Sequence, residues 1–284
     1  MKMMDGRFRV ILAACGIVTL LGAPIGAPAQ AAEASPWIED LSSAMRLIAG
    51  ANKSDADSLR AGVEIKLKPG WHTYWRYPGD SGVPPRFSFS GSDNVATVKV
   101  LYPAPQAITD EAGTTIGYKG SVIFPLRVFP RQKDKPVTLH LKLEYAVCEK
   151  LCVPVEARTK LTLPGEAGAN DAALAAAEAR VPTPATAAEA GLKAQRASDD
   201  KRKPLVFVDL AAPTGQKVEV FVEGPSAEWA LPIPKPSQGA PVGHQYFGFE
   251  LDGMPPGVDP KAPFELTFTI VKGNQASEVK THLD

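Results

Sequence analysis

The chain has 284 residues with 31 basic and 31 acidic side chains, so its formal net charge is zero and no basic block marks a nucleic-acid surface. Its 24 glycines and 27 prolines make up about 18% of the residues against roughly 12% in average proteins, which excludes a helical bundle or a coiled coil. One or two domains of this size each bury a core without covalent staples, so the three cysteines are not needed for folding.

At the start, Lys2, Arg7 and Arg9 precede an apolar run from Val10 to Leu21, and small residues follow as far as Ala29-Gln30-Ala31. A charged start, a short apolar middle and an A-x-A site predict a cleavable secretory signal, residues 1–31, too short to remain as a membrane anchor. Cleavage after Ala29 and lipid attachment at Cys15 are the alternatives; the apolar run continues past Cys15, whereas a lipidated cysteine belongs at its end. Removal of residues 1–31 takes away three basic residues, one acidic residue and Cys15, leaving 28 basic and 30 acidic side chains and two cysteines, Cys148 and Cys152. No later stretch approaches about 20 apolar residues, so a soluble mature protein in an oxidising compartment is expected.

Residues 36–50 fit either a short turn or an exposed strand. Val63, Ile65 and Leu67 then alternate with polar residues and stop at Pro69-Gly70, which reads as a half-buried strand and a turn. Further strands are predicted at 86–90, 96–101, 121–129, 137–147 and 153–163, with turns at Pro78 to Gly82, Pro103, Gly113, Pro130 and Lys135-Pro136. Short strands at this spacing predict an all-β, immunoglobulin-like β-sandwich over residues 32–165. Residues 167–197 hold 14 alanines and no aromatic residue, so 166–203 reads as an Ala-rich helical linker split by Pro182 and Pro184. From Lys203-Pro204 onward, alternating segments at 205–210, 217–223, 245–251, 264–271 and 277–283 predict a second, smaller β-sandwich, residues 204–284.

The cysteines close a predicted hairpin. Period two places Val137, Leu139, Leu141, Leu143, Tyr145 and Val147 on one face, and His140, Lys142, Glu144, Ala146 and Cys148 on the other. Beyond the pair, Cys152, Glu156, Arg158 and Lys160 take the polar parity, so both cysteines are expected on the less buried face. With Glu149-Lys150-Leu151 as the turn they become a cross-strand pair about 4.5 to 5.5 Å apart at Cα, within reach of a disulfide. A ring this small restricts the unfolded chain by only about 2 kcal/mol, against about 4.7 for a 100-residue loop. Thiol-disulfide exchange, a structural staple and metal binding therefore all stay open, with Lys150 placed to favour a thiolate. Copper is the metal that soft thiolates suit. Of His72, His140, His244 and His282, only His140 shares the strand and face of Cys148, roughly 26 Å away along it, so no local ligand set accompanies the pair.

Lys68-Pro69-Gly70-Trp71-His72-Thr73-Tyr74-Trp75-Arg76-Tyr77-Pro78-Gly79-Asp80-Ser81-Gly82, Tyr102-Pro103-Ala104-Pro105-Gln106, Gly117-Tyr118-Lys119-Gly120 and Cys148 to Pro154 together resemble the amino-terminal periplasmic domain of the DsbD family, most closely its ScsB-like and stand-alone members. The resemblance covers residues 60–165 and is weaker beyond them. It implies an immunoglobulin-like periplasmic domain with no cofactor, whose cysteines pass reducing equivalents from a membrane-embedded thiol reductase to thioredoxin-like periplasmic proteins. In the family an acidic, aromatic-containing loop caps the pair; Asp110 and Glu111 match it, Ala112 stands where the shielding aromatic is usual, and Tyr118 or Ile116 is the substitute. The three-residue gap between the cysteines suits the ScsB-like branch. The cluster Trp71, His72, Tyr74 and Trp75 divides between core packing and a docking or redox surface, the latter drawing on Trp71, His72 and Tyr74. The expected function is thiol-disulfide interchange at Cys148 and Cys152; the alternative is a copper-binding or copper-tolerance module that keeps the pair as a structural disulfide.

Overall fold

The structure is a computed structural model that describes Met1 and residues 32–51, 57–79, 82–110, 113–164, 168–197 and 204–284. The expected signal segment with Cys15, the cap residues Glu111 and Ala112, and the charged run 199–203 lie outside the described residues.

Eleven strands build the first sandwich: β1 Ile38–Glu39, β2 Ser43–Ala49, β3 Leu59–Leu67, β4 His72–Tyr74, β5 Arg86–Ser88, β6 Val95–Val100, β7 Gln106–Asp110, β8 Gly113–Lys119, β9 Ser121–Pro130, β10 Val137–Cys148 and β11 Cys152–Leu163. One sheet runs β1-β2-β3-β9-β6; the other runs β11-β10-β4-β8-β7, with β5 also on β10. Their inner faces supply the core, Met45, Leu47, Val63, Ile65, Phe124 and Leu126 from the first sheet meeting Leu139, Leu141, Leu143 and Val147 from the second. Ser43 and Tyr145 share a hydrogen bond of 2.8 Å from sheet to sheet, which gives the one phenol in this stripe a partner.

The undecided stretch 36–50 contains a buried strand. Met45, Leu47 and Ala49 face the core, while Arg46 on the outer face pairs with Glu64 of β3 at 2.7 Å. Ile48 breaks the alternation because its outward side is covered too. Helix α1, Asp171–Glu178, lies there and drops Leu174 into a notch left by Gly50 and Gly62, where added Cβ atoms would come within 2.6 and 2.8 Å of the leucine. Arg60 binds Asp171 and Glu178 at 3.0 Å each, and Arg127 binds Glu178 at 2.6 Å, fixing the helix on the sheet.

The segment read as a helical linker is corrected here, because it supplies strands to the second sandwich. After α1 come β12 Thr183–Ala185, α2 Ala187–Ala190 and β13 Leu192–Arg196; then β14 Leu205–Ala211, β15 Val218–Glu223, β16 Lys235–Ser237, β17 His244–Glu250, β18 Phe264–Lys272 and β19 Gln275–Leu283 complete two sheets, β12-β19-β18-β15 and β13-β14-β17-β16. The local reason is a helix of one turn. A Thr186–Glu189 capping box opens α2, and Gly191 in the left-handed region closes it. Beyond that stop, Leu192-Lys193-Ala194-Gln195-Arg196 alternates and pairs with β14, while Pro184 sits on the edge strand β12, where a missing N–H is tolerated. The second sandwich thus begins at Thr183 rather than at residue 204, and residues 31–284 form one compact unit.

Candidate functional site

Strands β10 and β11 pair without a bulge from Val137↔Leu163 to Cys148↔Cys152, leaving Glu149-Lys150-Leu151 as the turn. The two cysteines are directly opposed, with Cα atoms 4.2 Å apart, and a disulfide joins them. The hairpin and its cross-strand cysteine pair are therefore as the alternation predicts. The expectation that both sit on the less buried face holds for Cys152 alone.

Cys148 is buried and Cys152 exposed. Both point to the same face, so the difference comes from the strands. β11 is an edge strand, and among the described residues no strand pairs with it on its outer side; β10 lies inside the sheet, and β4 runs along its other edge. There His72 is the register partner of Cys148. Tyr74, two residues on and on the same face, packs with Ala146 and Cys148 in a small cluster apart from the main core. Thr73 between them faces inward and donates its hydroxyl to the Ala146 carbonyl at 2.8 Å, tying β4 to β10 at the level of the pair.

Tyr74 reaches across the disulfide. Its hydroxyl stands 3.1 Å from Cys152 Sγ, and because a disulfide sulfur carries no hydrogen, the phenol donates. Burial pushes the phenol pKa up and the nearby Asp110 carboxylate adds to this, so Tyr74 stays protonated and remains a donor. The His72 ring stands edge-on to Tyr74 with centroids 5.4 Å apart. Among the described residues its Nε2 is buried with no hydrogen-bond partner. Burial lowers its pKa, Asp110 opposes that and Lys119, its register partner on β8, reinforces it; the net shift is downward, so the imidazole is neutral at pH 7.

Of the acidic cap candidates, Asp110 falls on the hairpin formed by β7 and β8. Asp110 closes the pairing opposite Gly113 and is near enough to act electrostatically on both His72 and Tyr74, whereas Glu111 lies outside the described residues. Tyr118 does not cover the pair. It is the register partner of the inward-facing Thr73, is buried against Phe124 with ring centroids 5.4 Å apart, and donates its hydroxyl to the Pro103 carbonyl at 2.8 Å. Ile116 is core as well. Trp71 is half-buried against the core beside β4, and Trp75 is fully buried. The hairpin tip presents Lys150, Leu151, Cys152 and Val153 to solvent, Leu151 at 77% exposure, an apolar rim around the accessible cysteine.

Sequence reasoning placed His72 and Tyr74 on one face but not against the cysteines. The period-two signal is local, while the β4–β10 pairing joins segments more than 70 residues apart. His72 rather than His140 neighbours the pair. Among the described residues no group of three or more His, Cys, Asp or Glu side chains is gathered as metal ligands, and no helix is long and apolar enough to cross a membrane.

Known proteins resemble this chain in part of its sequence and in its fold. Residues 44–164 match the family model for the N-terminal part of the thiol:disulfide interchange protein DsbD. The fold is similar to the crystal structure of the N-terminal periplasmic domain of ScsB from Proteus mirabilis, with a TM-score of 0.70 and 20% identity, covering 88% of this chain and 98% of that one. No curated protein matches the chain.

Proposed function

From the match of residues 44–164 to the DsbD amino-terminal family model, we propose that the protein is a periplasmic thiol-disulfide relay: Cys148 and Cys152 take reducing equivalents from a membrane-embedded thiol reductase and give them to thioredoxin-like proteins. The observation that carries this reading is the asymmetric disulfide, one cysteine exposed at a hairpin tip and the other buried beneath Tyr74. A staple gains nothing from that arrangement, whereas exchange requires one reachable sulfur.

In the donating direction, the Cys152 thiolate attacks one sulfur of the partner's disulfide, forming a mixed disulfide and releasing the partner's second sulfur as a thiolate. The Cys148 thiol gives up its proton and attacks Cys152 Sγ; the Cys148–Cys152 bond forms, the mixed disulfide breaks, and the partner leaves as a dithiol. Two electrons and two protons pass to the partner. A membrane reductase's dithiol reverses both steps, entering at Cys152. The Tyr74 hydroxyl stabilises the Cys152 thiolate whenever that sulfur is the nucleophile or the leaving group. His72, neutral and register-paired with Cys148, is placed to take the proton of the buried thiol. Asp110 tunes the site from the β7–β8 hairpin, and Leu151, Val153 and Trp71 contribute apolar surface to docking.

The test is to equilibrate the pair against glutathione or dithiothreitol couples and to follow its exchange with an oxidised thioredoxin-like domain. The proposal expects rapid two-electron transfer. A potential far below the compartment's poise with no exchange leaves a staple, and stoichiometric Cys-dependent Cu(I) binding without exchange supports the copper alternative.

A further inference from the structure

The three residues that follow Tyr74 all reach into the second sandwich. Trp75, fully buried, approaches Phe221 of β15 with ring centroids 6.0 Å apart. Arg76 grips Glu223 of β15 through Nε at 3.0 Å and Nη2 at 2.7 Å, binds Glu278 of β19 through the same Nη2, and lies over the Trp75 ring at 4.7 Å. Tyr77 donates its hydroxyl to the Leu231 carbonyl at 3.1 Å. This run is also bonded to β8, Trp75 N–H to the Ile116 carbonyl and Ile116 N–H to the Pro78 carbonyl, both at 3.0 Å. The other strand of that hairpin is held independently: Ala107 N–H of β7 donates to Glu219 of β15 at 3.1 Å. Everything that covers Cys148 or acts on its cover, namely Tyr74, His72 and the hairpin bearing Asp110, is therefore continuous with segments clamped by the carboxy-terminal sandwich.

We propose that the carboxy-terminal sandwich is a brace for the disulfide, and that Arg76 is its principal positioning residue: held between Glu223 and Glu278, it fixes the Tyr74 hydroxyl on Cys152 and keeps the cover over Cys148 closed. The inference deepens the relay reading, on which it rests for its biological meaning. A guanidinium bonded to two carboxylates at the sandwich junction has one geometry, and with the intervening Trp75 N–H bonded to the Ile116 carbonyl of β8 that geometry passes to Tyr74. Released from the brace, Tyr74 swings off the pair, and both sulfurs become reachable.

The experiment uses the full chain and a small thiol, so it reads access to the disulfide independently of any protein partner. Arg76→Gln, Arg76→Lys and Glu219→Ala are compared with wild type for the rate at which dithiothreitol reduces the pair, and for the pH profile of Cys152 alkylation once reduced. Arg76→Gln is expected to be reduced at least about five-fold faster and to shift the alkylation profile to higher pH, Arg76→Lys to fall between, and Glu219→Ala to change the rate in the same direction by less. If Arg76→Gln does not fold, Glu219→Ala, which loses one hydrogen bond, decides. Folded variants reduced at the wild-type rate with an unchanged profile overturn the brace. Absence of exchange between wild type and a thioredoxin-like domain overturns the relay and leaves this result standing.

Discussion

Tyr74 and His72 flank the same disulfide and act on it differently. Tyr74 is a buried donor whose ionisation is suppressed, so its one hydrogen bond is available to Cys152 at every physiological pH. Hydrogen bonds to charged groups contribute about 1.5 to 3 kcal/mol, and one pKa unit corresponds to about 1.4 kcal/mol. Tyr74→Phe in a Cys148→Ser background is therefore expected to raise the Cys152 thiol pKa by about one unit, read from the pH dependence of alkylation; an unmoved profile contradicts the contact. His72 is a buried base whose folded pKa lies below its unfolded value of about 6.5. Below that pH the unfolded chain takes up a proton that the folded chain resists, so the group costs nothing above about 6.5 and destabilises progressively as the pH falls towards its folded pKa. His72→Phe is expected to lose this acid-side decline, seen as a converging or crossing stability curve against wild type in urea unfolding at a series of pH values just below 6.5. Parallel curves contradict it.

At the scale of elements, α1 shows how a helix in an otherwise all-β chain earns its place. Its single fully buried anchor, Leu174, fills the Gly50–Gly62 notch, and its two acidic ends bind Arg60 and Arg127. Leu174→Ala leaves a cavity there and is expected to lower unfolding stability by about 2 to 5 kcal/mol. The same variant should be reduced by a small thiol at the wild-type rate, because α1 packs on the sheet opposite the disulfide; a faster reduction places the helix in the redox site. The hairpin of β10 and β11 and its register were legible, since alternation along twelve-residue strands specifies both, but the burial of Ala146 and Cys148 at the cysteine end was not. β2 was not, because Ile48 is buried on its outer side by a helix more than 100 residues later. The strands of β12 and β13 were hidden by alanine, whose helix propensity carries no information once Gly191 and Pro184 stop the helix.

For the whole molecule, the two sandwiches were each foreseeable from spaced alternating segments, but their junction was not. Arg76, Glu223 and Glu278 lie far apart in sequence and carry no local signal of pairing. The same holds for the site: the cysteine pair was evident, its parity suggested exposure, and only the sheet order shows that an inner strand buries Cys148 while an edge strand leaves Cys152 open. Family resemblance supplied Asp110 as a cap candidate, and its carboxylate acts electrostatically on His72 and Tyr74; Tyr118, the substitute aromatic, belongs to the core. In the proposed relay electrons enter and leave through Cys152, with Cys148 as the buried resolving partner. The most direct measurement is to react reduced Cys148→Ser and Cys152→Ser proteins with an oxidised thioredoxin-like domain and resolve the products by non-reducing electrophoresis and mass spectrometry after acid quench. A stable mixed disulfide through Cys152 is expected in Cys148→Ser and little or none in Cys152→Ser; trapping through Cys148 instead, or no adduct with either protein, contradicts entry at Cys152.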